Sequence, residues 1–223
     1  MGKVTKMSNV SVSMESALGA SVTISSITKA TPGVVTTGAV HSLVVGDYVL
    51  MTVNGMFQLN DRVFRVATGG FTTTAFQLED ISGGTGISTL LMDTFSSGSV
   101  QKITFGTTIT TVANMTSSGG EFDFKDTSLI HNNFKSQIPG SASPVSFTME
   151  HLWDLTDSGQ QALVTASNAQ AKKSFKFVYG TGGVVQVFTG YVGYVGVPSG
   201  QAQDVLKSSA TITANGLPTF YSA

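Results

Sequence analysis

The sequence predicts a mainly β fold, a β-sandwich or open barrel with one flanking α-helix at about 157–171 and a small inserted β-barrel. Three observations predict it. Thr, Ser, Val and Gly dominate while Pro is scarce, which favours many short strands over helices. From Val145 to Trp153 the residues alternate, with Val145, Phe147, Met149, His151 and Trp153 on one side and Ser146, Thr148 and Glu150 on the other, the period of a half-buried strand. After Asp157, the residues Gly159, Ala162, Leu163, Ala166 and Ala169 recur at helical spacing, and nothing else in the chain carries that period convincingly.

In chain order, Ala20 to Ile27 alternates as a strand and Thr31-Pro32-Gly33 punctuates it. Four or five short runs follow, through Leu43–Met51, Gly55–Asn60, Arg62–Val66 and Thr74–Leu78, with Gly-Asp, Asn-Gly and Gly-Gly turns; they predict a compact barrel. Residues 81–97 read as a Gly/Ser/Thr-rich linker, and strands resume at Val100–Phe105 and Thr108–Val112. This divides the chain into a discontinuous domain, 1–30 and 98–223, and an inserted domain with its linker, 31–97.

Residues 117–143 form a long irregular segment. Its Phe122, Phe124, Ile130, Phe134 and Ile138 argue against permanent disorder, which is poor in such residues. Such a loop either meets a partner chain or folds back on its own sheet. At the helix, Asp157 is a candidate N-cap and Gln160 the matching residue of a capping box. Phe175–Tyr179 and Val184–Val195 flank a Gly-rich turn as a hairpin, Val205–Ala214 reads as a closing strand, and Gly216-Leu217-Pro218-Thr219-Phe220 as an apolar tail.

Charged residues make up 11% of the 223, against about 25% in ordinary soluble domains. A subunit that hides its faces against copies of itself needs less charge than a monomer, so the composition points to self-assembly; a β protein with a Ser/Thr-rich surface is the plainer reading. A net charge of −1 provides no global basic field for nucleic acid or an anionic membrane. The absence of Cys excludes disulfides, Cys-based zinc sites and thiol catalysis. No signal peptide is expected at the N-terminus, Lys6 disfavours a myristoylation signal, and no stretch approaches the roughly 18 apolar residues of a membrane-spanning helix.

The search for chemistry finds no catalytic constellation, metal site or cofactor. Of His41, His131 and His151, only His151 has acidic neighbours, and Glu150 points to the opposite face of the strand. Residues 140–143 lack the Gly-x-Ser-x-Gly pattern of a nucleophile elbow, and residues 83–86 lack the Gly-Lys-Ser/Thr ending of a phosphate loop. Glu121, Asp123 and Asp126 form an acidic group without a pocket-forming context.

Two resemblances add to this. His41-Ser42-Leu43, Gly46-Asp47-Tyr48-Val49, Leu59-Asn60 and Phe64-Arg65-Val66 look like the small β-barrel of the first catalytic-cysteine half-domain of ubiquitin-activating enzymes, a module that recurs in phage structural proteins. Without a Cys, the ubiquitin chemistry does not carry over, and a decoration domain is implied. Outside this stretch, the run from Ser118-Gly119-Gly120-Glu121 to Asp126-Thr127-Ser128, the motif Gln137-Ile138-Pro139-Gly140, and Ser146–Glu150 leading into the helix resemble the major tail tube proteins of long-tailed, non-contractile phages. Phe188–Gly193 and Thr211–Pro218 resemble that family's last two strands.

The resemblance implies a virion protein, assembled in the host cytoplasm, whose copies close six to a ring by joining their sheets. The rings stack through the long loop and terminal arms into a tube that passes the genome at ejection without binding it specifically. Tail-tip, tape-measure and terminator proteins are the implied further partners. Phe122, Phe124, Ile130, Phe134, Ile138, Leu217 and Phe220 are the implied contacts between subunits or rings. Deleting 121–138 should then leave a folded subunit that cannot stack, and excising 33–96 should preserve assembly. Competing readings are a ring protein of a contractile secretion tube and a monomeric glycan- or receptor-binding β module using Trp153, Tyr191 or Tyr194.

Overall fold

A computed structural model describes residues 9–127, 131, 134–180 and 183–222. The chain runs through β1 (Val10–Met14), β2 (Ala17–Leu18), β3 (Val22–Ile27), β4 (Val34–Thr37), β5 (Tyr48–Asn54), a 3-10 turn, β6 (Arg62–Arg65), β7 (Ala75–Gln77) and β8 (Ser97–Thr104). It continues through β9 (Thr107–Ile109), β10 (Val112–Ser118), β11 (Phe122–Asp126), β12 (Gln137–Ala142), β13 (Ser146–Leu152) and α1 (Ser158–Asn168). β14 (Lys172–Tyr179), β15 (Val184–Gly193), β16 (Lys207–Ala214) and β17 (Thr219–Ser222) complete it. The fold is mainly β with one described helix, as the residue patterns predict.

Two sheets carry most of the structure. In the main sheet the antiparallel order is β10-β13-β16-β15-β14-β1-β9, with β17 continuing beyond β16 along the same edge of β15. Its two end strands are consecutive in the chain, and the sheet curls until β1 and β10 face each other across a cleft of about 190 Å³. It is an open barrel with its seam there. Phe147, Phe175, Phe177 and Phe188 fill it in stacked and edge-on contacts. The helix packs on β9 and β15, burying Leu163 and Ala166. Gly159 permits this approach, because a Cβ there would lie 2.8 Å from the Thr108 carbonyl oxygen.

Asp157 caps the helix as its position predicts, accepting from the Gln160 N–H at 3.0 Å. Gln160 does not return the bond, so the capping box is incomplete. Its side chain is fully buried, donating to Leu152 O and Thr111 Oγ1 and accepting from Asp154 N–H and the Tyr194 hydroxyl. It anchors the strand–helix junction instead.

The second sheet has the order β6-β5-β8-β3-β4-β7, with β2 paired to β8. Ala67 N–H to Gln77 O and Glu79 N–H to Arg65 O join its ends, closing a small barrel around Met51, Met56, Leu59, Phe64 and Phe76. β3 and β8 hydrogen-bond within this sheet, so the excursion from the main sheet runs from about 15 to 106, wider than 31–97. Residues 81–97 are no free linker: Thr89 is buried, its hydroxyl donates to Thr28 O, and Ile87, Met92 and Phe95 pack against the barrel core.

A third apolar cluster lies between the sheets, joining Leu50, Val63 and Ile103 of the second to Val185, Val187 and Tyr221 of the main sheet. The Tyr221 hydroxyl accepts from Arg65 N–H at 2.9 Å, and Arg65, ion-paired with Glu79, donates to Ser222 O. Lys172 meets Asp61 at 2.6 Å, and the Lys176 ammonium lies over the rings of Tyr48 and Phe105. The expectation that 33–96 could be excised harmlessly meets this interface: removing the second barrel would uncover Val185, Val187 and Tyr221.

Candidate functional site

The predicted irregular segment is a β-ribbon. β10 ends at Ser118, and Gly119 and Gly120, both at positive φ, swing the chain out of the main sheet. No side chain fits at Gly119, where a Cβ would come within 2.1 Å of the Pro144 carbonyl oxygen. β11 and β12 then pair only with each other, closed at the base by Ser143 N–H to Glu121 O and farther out by Thr127 N–H to Ser136 O. Every described residue from Glu121 to Ser141 is exposed.

Phe122, Phe124 and Ile138 are 51%, 59% and 55% exposed. Register sets Phe124 opposite Pro139 and Ile138 opposite Lys125, so Phe124 and Ile138 stand on opposite faces of the ribbon. Neither face is covered by the rest of the chain. Phe134 is exposed near the tip, beside the exposed His131, and Ile130 lies outside the described residues.

Leu217 and Phe220 sit at the ribbon's base. With Val145, Tyr179 and Val184 they line a largely apolar groove of about 560 Å³ where β17 diverges from β10. The Tyr179 hydroxyl donates to Gln186 Oε1 at 2.6 Å on the rim, and burial pushes its pKa up to about 12, so it remains a neutral donor. The structure thus gathers Phe122, Phe124, Ile138, Leu217 and Phe220 at one end of the main sheet.

The other sequence candidates play different parts. Trp153 is half-buried and donates to Gly196 O, and Tyr194 is buried against Gln160 and Ser208; neither forms a sugar platform. Tyr191 is exposed. His41 is buried edge-on against Phe71 and Phe76. His151 is buried with Nδ1 bonded to Thr111 Oγ1, and burial lowers its pKa against a weaker opposing pull from Asp157. Among the described residues no group of three His, Cys, Asp or Glu side chains could hold a metal ion, and no helix is long and apolar enough to cross a membrane.

A ribbon and a groove with unburied apolar residues, beside no chemical centre, make an assembly surface. Comparison with known families agrees: residues 54–223 match the family described as phage tail tube protein, TTP. The chain belongs to the phage tail tube protein family. Its role is therefore structural, its place is the tail of the virion, and membership implies self-association in a tube and contact with other tail components. The match begins at the last residue of β5 and so includes part of the second barrel. No curated protein matches the chain.

The sequence reading missed one surface. At the opposite end of the main sheet, Leu152, Leu155, Val195, Val197, Val205 and Leu206 are all exposed. The signal was available in Val195-Gly196-Val197-Pro198, where apolar residues persist beside Gly and Pro that end a strand.

Proposed function

We propose that this tail tube protein is the repeating subunit of a stacked-ring tube, its copies closing into rings, six by the family resemblance, through free sheet edges. Rings stack through the ribbon Phe122–Ala142, and the genome passes through the lumen during ejection without specific binding. The exposed ribbon carries this reading. A lone two-stranded ribbon is marginal in water, so apolar residues on both of its faces need another molecule to cover them. The edge strand β10 supports ring closure, because pairing it to a neighbour removes an open edge. The low charge fraction fits a subunit mostly covered by copies of itself.

We assign the second barrel, about 15–106, to an outward decoration role, in keeping with its resemblance to a module found in phage structural proteins. Tail-tip, tape-measure and terminator proteins are the further partners this reading implies, with assembly in the host cytoplasm. Negative-stain electron microscopy beside solution mass tests it: rings or tubes with a central hole are expected, and a chain that stays monomeric at high concentration and with tail-tip proteins added would overturn it.

A further inference from the structure

The ribbon and the missed apolar surface lie at opposite ends of one sheet. Register fixes this. Ser118 and Ser146 are paired where the ribbon leaves, whereas Val112 pairs with His151, and Leu152 with Lys207, at the far end. Strand β15 also ends there, and the segment after Gly193 loops out before returning at Lys207.

That far surface is built rather than loose. Trp153 N–H donates to Leu206 O at 2.9 Å, and Trp153 Nε1–H donates to Gly196 O at 2.9 Å. Ser199 and Lys207 exchange backbone bonds at 2.7 and 2.9 Å. Gly196 lies against Leu155: a Cβ there would fall 3.2 Å from Leu155 Cδ2. Leu152, Leu155, Val195, Val197, Val205 and Leu206 thereby form one patch, on which Val195 and Val197 are 80% and 68% exposed. A fixed apolar patch of this kind on a small subunit marks a contact surface.

We infer that this patch is the acceptor for the ribbon of a second copy of the chain, so that successive rings join by a heterologous contact, ribbon end to Val195/Val197 end. The inference rests on the stacked-ring reading and adds to it the residues that receive the ribbon. Two observations select a second copy as the occupant. A head-to-tail repeat needs two different surfaces facing opposite ways on one subunit, and the only described two-stranded sheet and this patch meet that condition. Both surfaces are also of one chemistry: aromatic and aliphatic side chains left uncovered by their own chain.

The chain has no Cys, so a cross-link test starts from a clean background. The full chain carrying Phe124→Cys together with Val197→Cys should, on mild oxidation of assembled material, produce a ladder of covalent multimers, and either substitution alone should not. Separately, Val195→Asp with Val197→Asp should abolish tubes while leaving the far-ultraviolet spectrum and Tm of the dispersed subunit unchanged, and Phe124→Asp should do the same from the other side. Mixing these two variants restores one ribbon-to-patch contact that cannot propagate, so paired layers without long tubes are expected. Wild-type tubes with no ladder, and tubes from the Val195/Val197 variant, would overturn the acceptor assignment alone. A wild-type chain that forms neither rings nor tubes would remove the stacked-ring reading and this inference together.

Discussion

The C-terminal strand and the ribbon are both short, apolar β segments, and they serve opposite purposes. In β17, Tyr221 is 1% exposed, wedged between two sheets and bonded through its hydroxyl to the Arg65 backbone. Burial raises its pKa, so the hydroxyl stays protonated and neutral. In the ribbon, Phe124 and Ile138 meet solvent on both faces. The hydrophobic driving force is the same in each; what differs is whether the chain's own topology brings a covering surface. Residues covered intramolecularly hold the fold, and residues left uncovered hold the assembly. Mutations in the two regions should therefore separate stability from stacking.

The largest effect should come from breaking the covered side wholesale. Excising 33–96 removes β4 to β7, leaves β3 and β8 with lost partners and uncovers the cluster around Val185, Val187 and Tyr221. Loss of cooperative thermal unfolding and of soluble yield is expected, and a soluble, cooperatively melting product would show that the barrels are independent. Tyr221→Ala probes the same interface at one residue. Truncating a fully buried aromatic costs about 3–5 kcal/mol, measurable by urea denaturation, while the ribbon itself is untouched.

Acidification offers a milder perturbation of the covered side. Burial lowers the His151 pKa in the folded chain, so the folded state disfavours its proton. Between that lowered value and the unfolded value near 6.5, the unfolded chain binds the proton and the folded chain does not. His151 thus contributes stability above about pH 6.5 that is lost as pH falls, and Tm should drop more steeply in wild type than in His151→Gln. The smallest effect on stability belongs to the ribbon: Phe124→Ala should shift unfolding by less than about 0.5 kcal/mol, yet impair stacking seen by electron microscopy.

Several elements were legible from residue pattern alone. Alternation placed Phe147, Met149 and His151 inside, and Asp157 marked the helix start, because both signals are local. The ribbon residues were also found, as apolar side chains in a segment without strand or helix period. What stayed hidden depends on pairing over distance. Nothing in Val22–Ile27 says that its partners are Ser97–Thr104 and Val34–Thr37 rather than strands of the main sheet. Gln160 read as a cap because its spacing fits one, and only the fold brings Thr111, Leu152 and Tyr194 around it. Val195, Val205 and Leu206 read as ordinary strand residues, since alternation tells which side chains share a face and not whether that face is covered.

The contrast between the regions is tested most directly by amide hydrogen exchange in dispersed subunits and in assembled tubes. The account predicts fast exchange across Phe122–Asp126 and Gln137–Ala142 in the dispersed chain and strong protection in tubes, with β17 protected in both. Equal protection of the ribbon in the dispersed chain and in tubes would contradict it, for the ribbon would then be held by its own subunit.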